Sequence, residues 1–171
     1  MSRLLTTAVT GVVATLLLSG CSDSTGTTRA SLTAVNPTPA ATSVPATTPI
    51  ILTFGQAMMS GMEQYMDLHE GTMAGPIVPM GCGWNPATTV LTCLPTDSLK
   101  SGTHYTIHVG AGMADAQGDM MDMSGWTTMG GQWATGGMMG GMHAGQPIGM
   151  MGSGWMDGSG HYGMTFGFTT N

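Results

Sequence analysis

Short segments in which apolar and polar residues alternate most constrain how this 171-residue chain can fold. They occupy residues 50–54, 89–94, 104–109 and 164–169, and turns rich in Pro and Gly separate them. An apolar period of two buries one face of a strand. Only 7% of the residues are charged, so the helix-favouring Glu, Lys and Arg are scarce. We therefore expect an all-β chain folded as an antiparallel sandwich.

The first 20 residues are typical of a cleaved signal peptide. Arg3 is followed by an apolar run over residues 8–18, which is shorter than the roughly 20 residues that span a bilayer. The residues Leu18-Ser19-Gly20-Cys21 resemble the lipobox of bacterial lipoproteins. This resemblance implies cleavage before Cys21 and lipid attachment to it, and Ser22 favours the outer membrane if the cell has two membranes. The alternative is an ordinary secretory signal with a chance cysteine.

Composition limits the rest of the chain to one domain with few functional classes. We expect a signal peptide at 1–20, a flexible Ser/Thr/Gly tether at 21–30 and a domain at 31–171. Without Arg3, two basic residues remain against nine acidic ones, a net charge near −7, which excludes nucleic acid as the expected partner. No catalytic motif with supporting context is present, so we predict that the protein is not an enzyme.

Cys82 and Cys93 flank the turn sequence Asn85-Pro86-Ala87-Thr88. In an exported protein two such cysteines are expected to form a disulfide, here across a hairpin. The alternative is a pair of thiolate metal ligands.

Several motifs together resemble the bacterial Ig-like domains of the SbsA type, which occur in S-layer and other surface proteins. The resemblance covers residues 32–119 and 163–170, and implies an Ig-like antiparallel β-sandwich. The main departure is a Met/Gly-rich insertion at 120–162, before the last strand. The motifs are Val35-Asn36-Pro37, Ile50-Ile51-Leu52-Thr53-Phe54, Trp84-Asn85-Pro86-Ala87-Thr88, Gly112-Met113-Ala114-Asp115-Ala116-Gln117-Gly118-Asp119 and Phe166-Gly167-Phe168-Thr169-Thr170.

Nineteen methionines are the strongest compositional anomaly, and many of them lie in the insertion. Thioethers are soft ligands that select Cu(I) or Ag(I). We therefore predict an envelope protein that binds these ions for copper sequestration or handover, with no metal needed for folding. The candidate ligands are Met120, Met121, Met123, Met138, Met139, Met142, His143, Met150, Met151 and His161.

Two alternatives to metal binding remain open for the insertion. It could be an inert loop or an oxidant buffer, because methionine consumes oxidants reversibly. The protein would then be a structural or adhesion module of the cell surface whose insertion contacts an envelope partner.

His104 and His108 lie on one strand about 13 Å apart, since each residue advances ~3.3 Å, so we expect them to be solvated rather than to share an ion.

Overall fold

The computed structural model describes residues 28–134 and 160–171, and this part of the chain is built from antiparallel strands. None of its helices is long and apolar enough to cross a membrane. The elements are β1 (Leu32–Asn36), β2 (Ile50–Phe54), a first 3₁₀ helix (Met62–Tyr65), β3 (Met66–Glu70), β4 (Met80–Trp84), β5 (Val90–Pro95), β6 (His104–Val109), a second 3₁₀ helix (Trp126–Met129), β7 (Gln132–Trp133) and β8 (Met164–Thr169).

The strands form two four-stranded sheets, which confirms the predicted sandwich. The first sheet has the order β1-β2-β5-β4 and the second has the order β3-β6-β8-β7. Apolar side chains from the facing sides of both sheets fill the core, and the largest fully buried ones include Leu52, Tyr105, Ile107 and Phe166. These are the apolar positions of the alternating segments, so the period of two identified the buried face.

The structure contains elements that the local sequence patterns did not predict. Residues 66–70 form strand β3, which pairs with β6 along its whole length. The first part of the predicted insertion is built into the sandwich, because Trp126 is fully buried and β7 pairs with β8. Residues 135–159, which carry the remainder of the insertion, lie outside the described residues, as do the signal peptide and Cys21.

Cys82 and Cys93 are directly opposite each other on β4 and β5 and are joined by a disulfide. The two strands are the arms of the hairpin expected around residues 85–88. Cys93 is fully buried on the core side, so the bond ties the edge strand β4 to the interior of the sandwich.

Replacing both cysteines by serine is expected to lower the free energy of unfolding by about 2–3 kcal/mol. The disulfide closes a short loop, with a sequence separation of 11, and it restricts the unfolded chain accordingly. Urea unfolding of the two chains under oxidising conditions measures the difference. Equal midpoints would contradict this prediction, and reduction of the wild-type protein should reproduce the effect of the substitutions.

Candidate metal site

Asp67, His69 and His108 form a compact cluster of metal-ligating side chains on the outer face of the second sheet. Asp67 and His69 are two residues apart on β3, so they project from the same face. His108 on β6 is the direct partner of Asp67 in the antiparallel register. One ligand atom from each residue lies within 4.8 Å of the others. Two nitrogen ligands of a tetrahedral zinc ion lie about 3.4 Å apart, so the three ligand atoms would have to move together by up to about 1.4 Å to bind one ion.

The hydrogen bonds of the two histidines define which ring nitrogens carry the hydrogen and which hold the lone pair. Nε2 of His108 lies 2.8 Å from the carbonyl oxygen of Tyr162, and Nδ1 of His69 lies 3.2 Å from that of Gly75. A carbonyl oxygen only accepts, so these nitrogens carry the hydrogen in the neutral rings and donate it. The opposite nitrogens then hold the lone pairs. Histidines that bind metals commonly donate their other N–H to a carbonyl in this way.

His108 is fully buried, so the expectation that it is solvated was wrong. The pKa of His108 is lowered from 6.5 to about 4, mainly by burial and to a smaller extent by the neighbouring His69, while the hydrogen bond to Tyr162 opposes the shift. His108 is therefore neutral at pH 7 and able to ligate. His104, on the same strand, is exposed as expected. Within the described part of the chain, Tyr162 brings its carbonyl to the ring of His108, whereas His104 is exposed.

Two glycines let the chain approach the cluster closely enough to supply these carbonyls. A Cβ atom at Gly75 would lie 1.8 Å from the carbonyl oxygen of Glu70, so a side chain there would prevent the turn that brings residue 75 to His69. Gly163 has a φ of 109°, and a Cβ there would lie 2.0 Å from the carbonyl oxygen of Val109. That glycine lets residues 162–163 pass against the end of β6.

A half-open cleft of about 260 Å³ lies on the same face of the second sheet. Thr106 and Thr165 line it, and they are the direct register partners of His69 and His108. The cleft therefore lies beside the cluster on the same face of the sheet, although Asp67, His69 and His108 do not line it.

The predicted thioether ligands are distributed between the core and the part of the chain outside the described residues. Met121 and Met123 are buried in the hydrophobic core, whereas Met120 is 44% exposed. The structure therefore does not bring these three together as one exposed group. The predicted ligands Met138, Met139, Met142, His143, Met150 and Met151 lie outside the described residues.

The described residues on either side of segment 135–159 pair with each other beside the histidine cluster. The backbone N–H of Tyr162 donates to the carbonyl of Ala134 over 2.9 Å, and that of Ala134 donates to Gly163 over 2.8 Å. The predicted ligand His161 stacks on Trp133 with ring centroids 4.4 Å apart, outside the cluster of three. Tyr162 also supplies the carbonyl to His108, so the methionine-rich segment leaves and rejoins the sandwich next to the cluster.

Sequence reasoning missed Asp67 and His69, although a signal was present. Residues 66–70 read Met-Asp-Leu-His-Glu, an alternation of apolar and polar residues that predicts a strand with Asp and His on one face.

The fold and the donor cluster together define a β-sandwich protein with a candidate metal site. A sequence profile described as the bacterial Ig-like domain matches residues 26–128, which is more than half of the chain. The chain belongs to this family of bacterial Ig-like domains. Family membership and the disulfide point to an extracytoplasmic or cell-envelope protein. No curated protein matches the chain significantly in sequence.

Solved structures with a similar fold include an S-layer protein, SbsC domains 1–6, with a TM-score of 0.45, 13% identity and coverage of 85% of this chain. CopC from Methylosinus trichosporium OB3b has a TM-score of 0.46 and 12% identity, with coverage of 83% of this chain and 93% of that one. L,D-transpeptidase 1 from Mycobacterium tuberculosis has a TM-score of 0.38 and 18% identity, with coverage of 46% and 35%.

This chain spans only 12–23% of the length of the SbsC chains that it matches. Similarities of this size assign no ligand and no activity to it. The assignment of a function therefore rests on the residues of the site.

Proposed function

We propose that this protein binds metal ions outside the cytoplasm at the site formed by Asp67, His69 and His108. The observation that carries the proposal is the convergence of one carboxylate and two imidazoles, within 4.8 Å, on paired strands. His69 and His108 are 1% and 0% exposed, and such buried polar rings require a specific role or specific partners. Two imidazoles and a carboxylate suit Zn²⁺ or Cu²⁺.

We propose in addition that the methionine-rich segment takes the soft ions Cu(I) or Ag(I), for copper sequestration or handover. Met138, Met139 and Met142 with His143, joined by Met150 and Met151, would supply the donors, because thioethers prefer soft ions. The position of residues 134 and 162 supports a link between the two kinds of site, since the segment leaves and rejoins the sandwich beside His108. The protein is thus proposed to be a binding protein, and its lack of enzymatic activity stays a prediction.

The proposed lipid anchor is inferred from the sequence alone. Lipid on Cys21 would hold the domain at a membrane through the tether at 21–30, and at the outer membrane if the cell has two. Two or more acyl chains hold a protein firmly, whereas one holds it marginally.

A metal titration tests the proposed function. We expect the full-length protein to bind Zn²⁺ at the histidine cluster and Cu(I) mainly at the segment. Replacing Met138, Met139 and Met142 by serine should weaken Cu(I) binding about tenfold or more, which corresponds to 1.4 kcal/mol. It should leave Zn²⁺ binding unchanged. Competition with chromophoric chelators measures both affinities.

Met59→Ser is the matched control, because it removes one exposed thioether from a different part of the sandwich. The metal proposal fails if the intact protein binds none of Zn²⁺, Cu²⁺, Cu(I) and Ag(I) more tightly than about 1 µM, or −8 kcal/mol. A structural or adhesion module of the cell surface would then be the preferred function.

A further inference from the structure

The loop after β3 is held against the outer face of the second sheet at both of its ends. Thr106 on β6 donates its hydroxyl hydrogen to the carbonyl of Gly71 over 2.6 Å. At the other end the carbonyl of Gly75 accepts from Nδ1 of His69 over 3.2 Å. The hydrogen bond from the backbone of Gly75 to Thr72, at 2.8 Å, closes the turn between these points. The residues between them therefore lie over the face that carries the cluster.

Met73 occupies the middle of this loop and is 7% exposed. It does not belong to the hydrophobic core between the sheets, which contains the other strongly buried methionines: Met58, Met62, Met66, Met113, Met121, Met123 and Met164. One end of the loop is hydrogen-bonded to His69, and the other end is hydrogen-bonded to Thr106, the register partner of His69. The Met73 side chain is thus buried outside the core, in a loop that contacts His69 and Thr106 through its backbone.

We infer that Met73 is a fourth ligand of the site formed by Asp67, His69 and His108. Its thioether adds affinity for Cu(I) to a site whose other three ligands bind divalent ions. This inference rests on the proposed function of the same cluster. A thioether beside two neutral imidazoles adds a soft donor to a set that otherwise suits Zn²⁺ or Cu²⁺. Methionine also adapts its three side-chain torsions to an irregular site at little cost, so a modest movement can bring its sulfur to an ion.

The test compares Cu(I) and Zn²⁺ affinities in the full-length chain after the segment methionines Met138, Met139, Met142, Met150, Met151 and Met156 have been replaced by serine. In this background Met73→Leu should weaken Cu(I) binding about tenfold or more, whereas Zn²⁺ affinity should change less than about threefold. A Leu-for-Met exchange conserves volume and is well tolerated in packed sites. The matched control is Met58→Leu, which removes a core thioether that is 2% exposed and should change neither affinity.

A second measurement needs no substitution in the site. In the same segment-substituted background, labelled with ¹³C at the methionine methyl groups, the assigned Met73 signal should shift with the first equivalent of Ag(I), and the Met58 signal should not. Unchanged Cu(I) affinity in Met73→Leu, or an unshifted Met73 methyl signal, would overturn the inference about Met73. If Zn²⁺ still bound in that case, the proposed site of Asp67, His69 and His108 would stand. Loss of both Zn²⁺ and Cu(I) binding from the background chain itself would instead refute the proposed site.

Discussion

Replacing His108 by leucine is expected to weaken Zn²⁺ or Cu²⁺ binding by at least about 100-fold. Loss of an outer-sphere partner of a ligand already costs about 10–100-fold in metal affinity, and His108 would be a ligand itself. With His108 removed, the donors in the cluster fall from three to two, Asp67 and His69. Isothermal titration of the metal-free protein with Zn²⁺ measures the loss.

His104→Leu is the matched control for this experiment. His104 lies on the same strand and the same face as His108, four residues away, but it is exposed and outside the cluster. The His104→Leu variant should therefore bind Zn²⁺ with wild-type affinity. Equal Zn²⁺ affinities for the two variants would contradict the site, as would a larger loss in His104→Leu. His69→Gln should resemble His108→Leu, because an amide is a much weaker metal ligand than imidazole.

The metal-free protein is expected to lose about 3 kcal/mol of stability through His108 alone as the pH falls from 7 to 4. The folded-state pKa is about 4, whereas the unfolded value is 6.5, and the cause is burial of the ring. Between these values the unfolded chain binds the proton and the folded chain does not, so unfolding becomes more favourable as the pH falls. Stability from this residue is complete above pH 6.5, and each pKa unit is worth about 1.4 kcal/mol.

Urea unfolding at pH 7 and at pH 4 in wild-type protein and in His108→Leu measures this contribution as a difference. The rest of the chain is common to both proteins, so its contribution to the pH dependence largely cancels in the comparison. The variant should show the shallower pH dependence, whereas His104→Leu should follow the wild type. If the free energy of unfolding changed equally with pH in wild-type protein and in His108→Leu, His108 would not remain neutral in the folded state.

The strands of the core were predictable because local periodicity alone identifies a buried face. Leu52, Ile107 and Phe166 are buried where an apolar residue recurs at every second position. The hairpin carrying Cys82 and Cys93 was predictable for a similar reason, since both the turn and the alternation are local. These properties depend on residues close together in the sequence.

The candidate site was only partly accessible by the same reasoning. Alternation within residues 66–70 places Asp67 and His69 on one face, but their position relative to His108 depends on the register between β3 and β6. The role of the methionines likewise depends on the tertiary structure. A thioether at Met121 or Met123 has the chemistry of a soft ligand, yet both side chains fill the core, where they have an apolar packing role.

By itself the sequence determined the alternation, the turns, the cysteine hairpin and the supply of soft donors, because each follows from residue type and short-range spacing. Only the tertiary structure decided which of two similarly placed histidines is buried. His104 and His108 have the same strand position and face, but residue 162 covers His108 and brings a carbonyl to its ring. Residues 108 and 162 are far apart in the chain, so no local pattern encodes their contact, and burial of that ring depends on the folded sandwich.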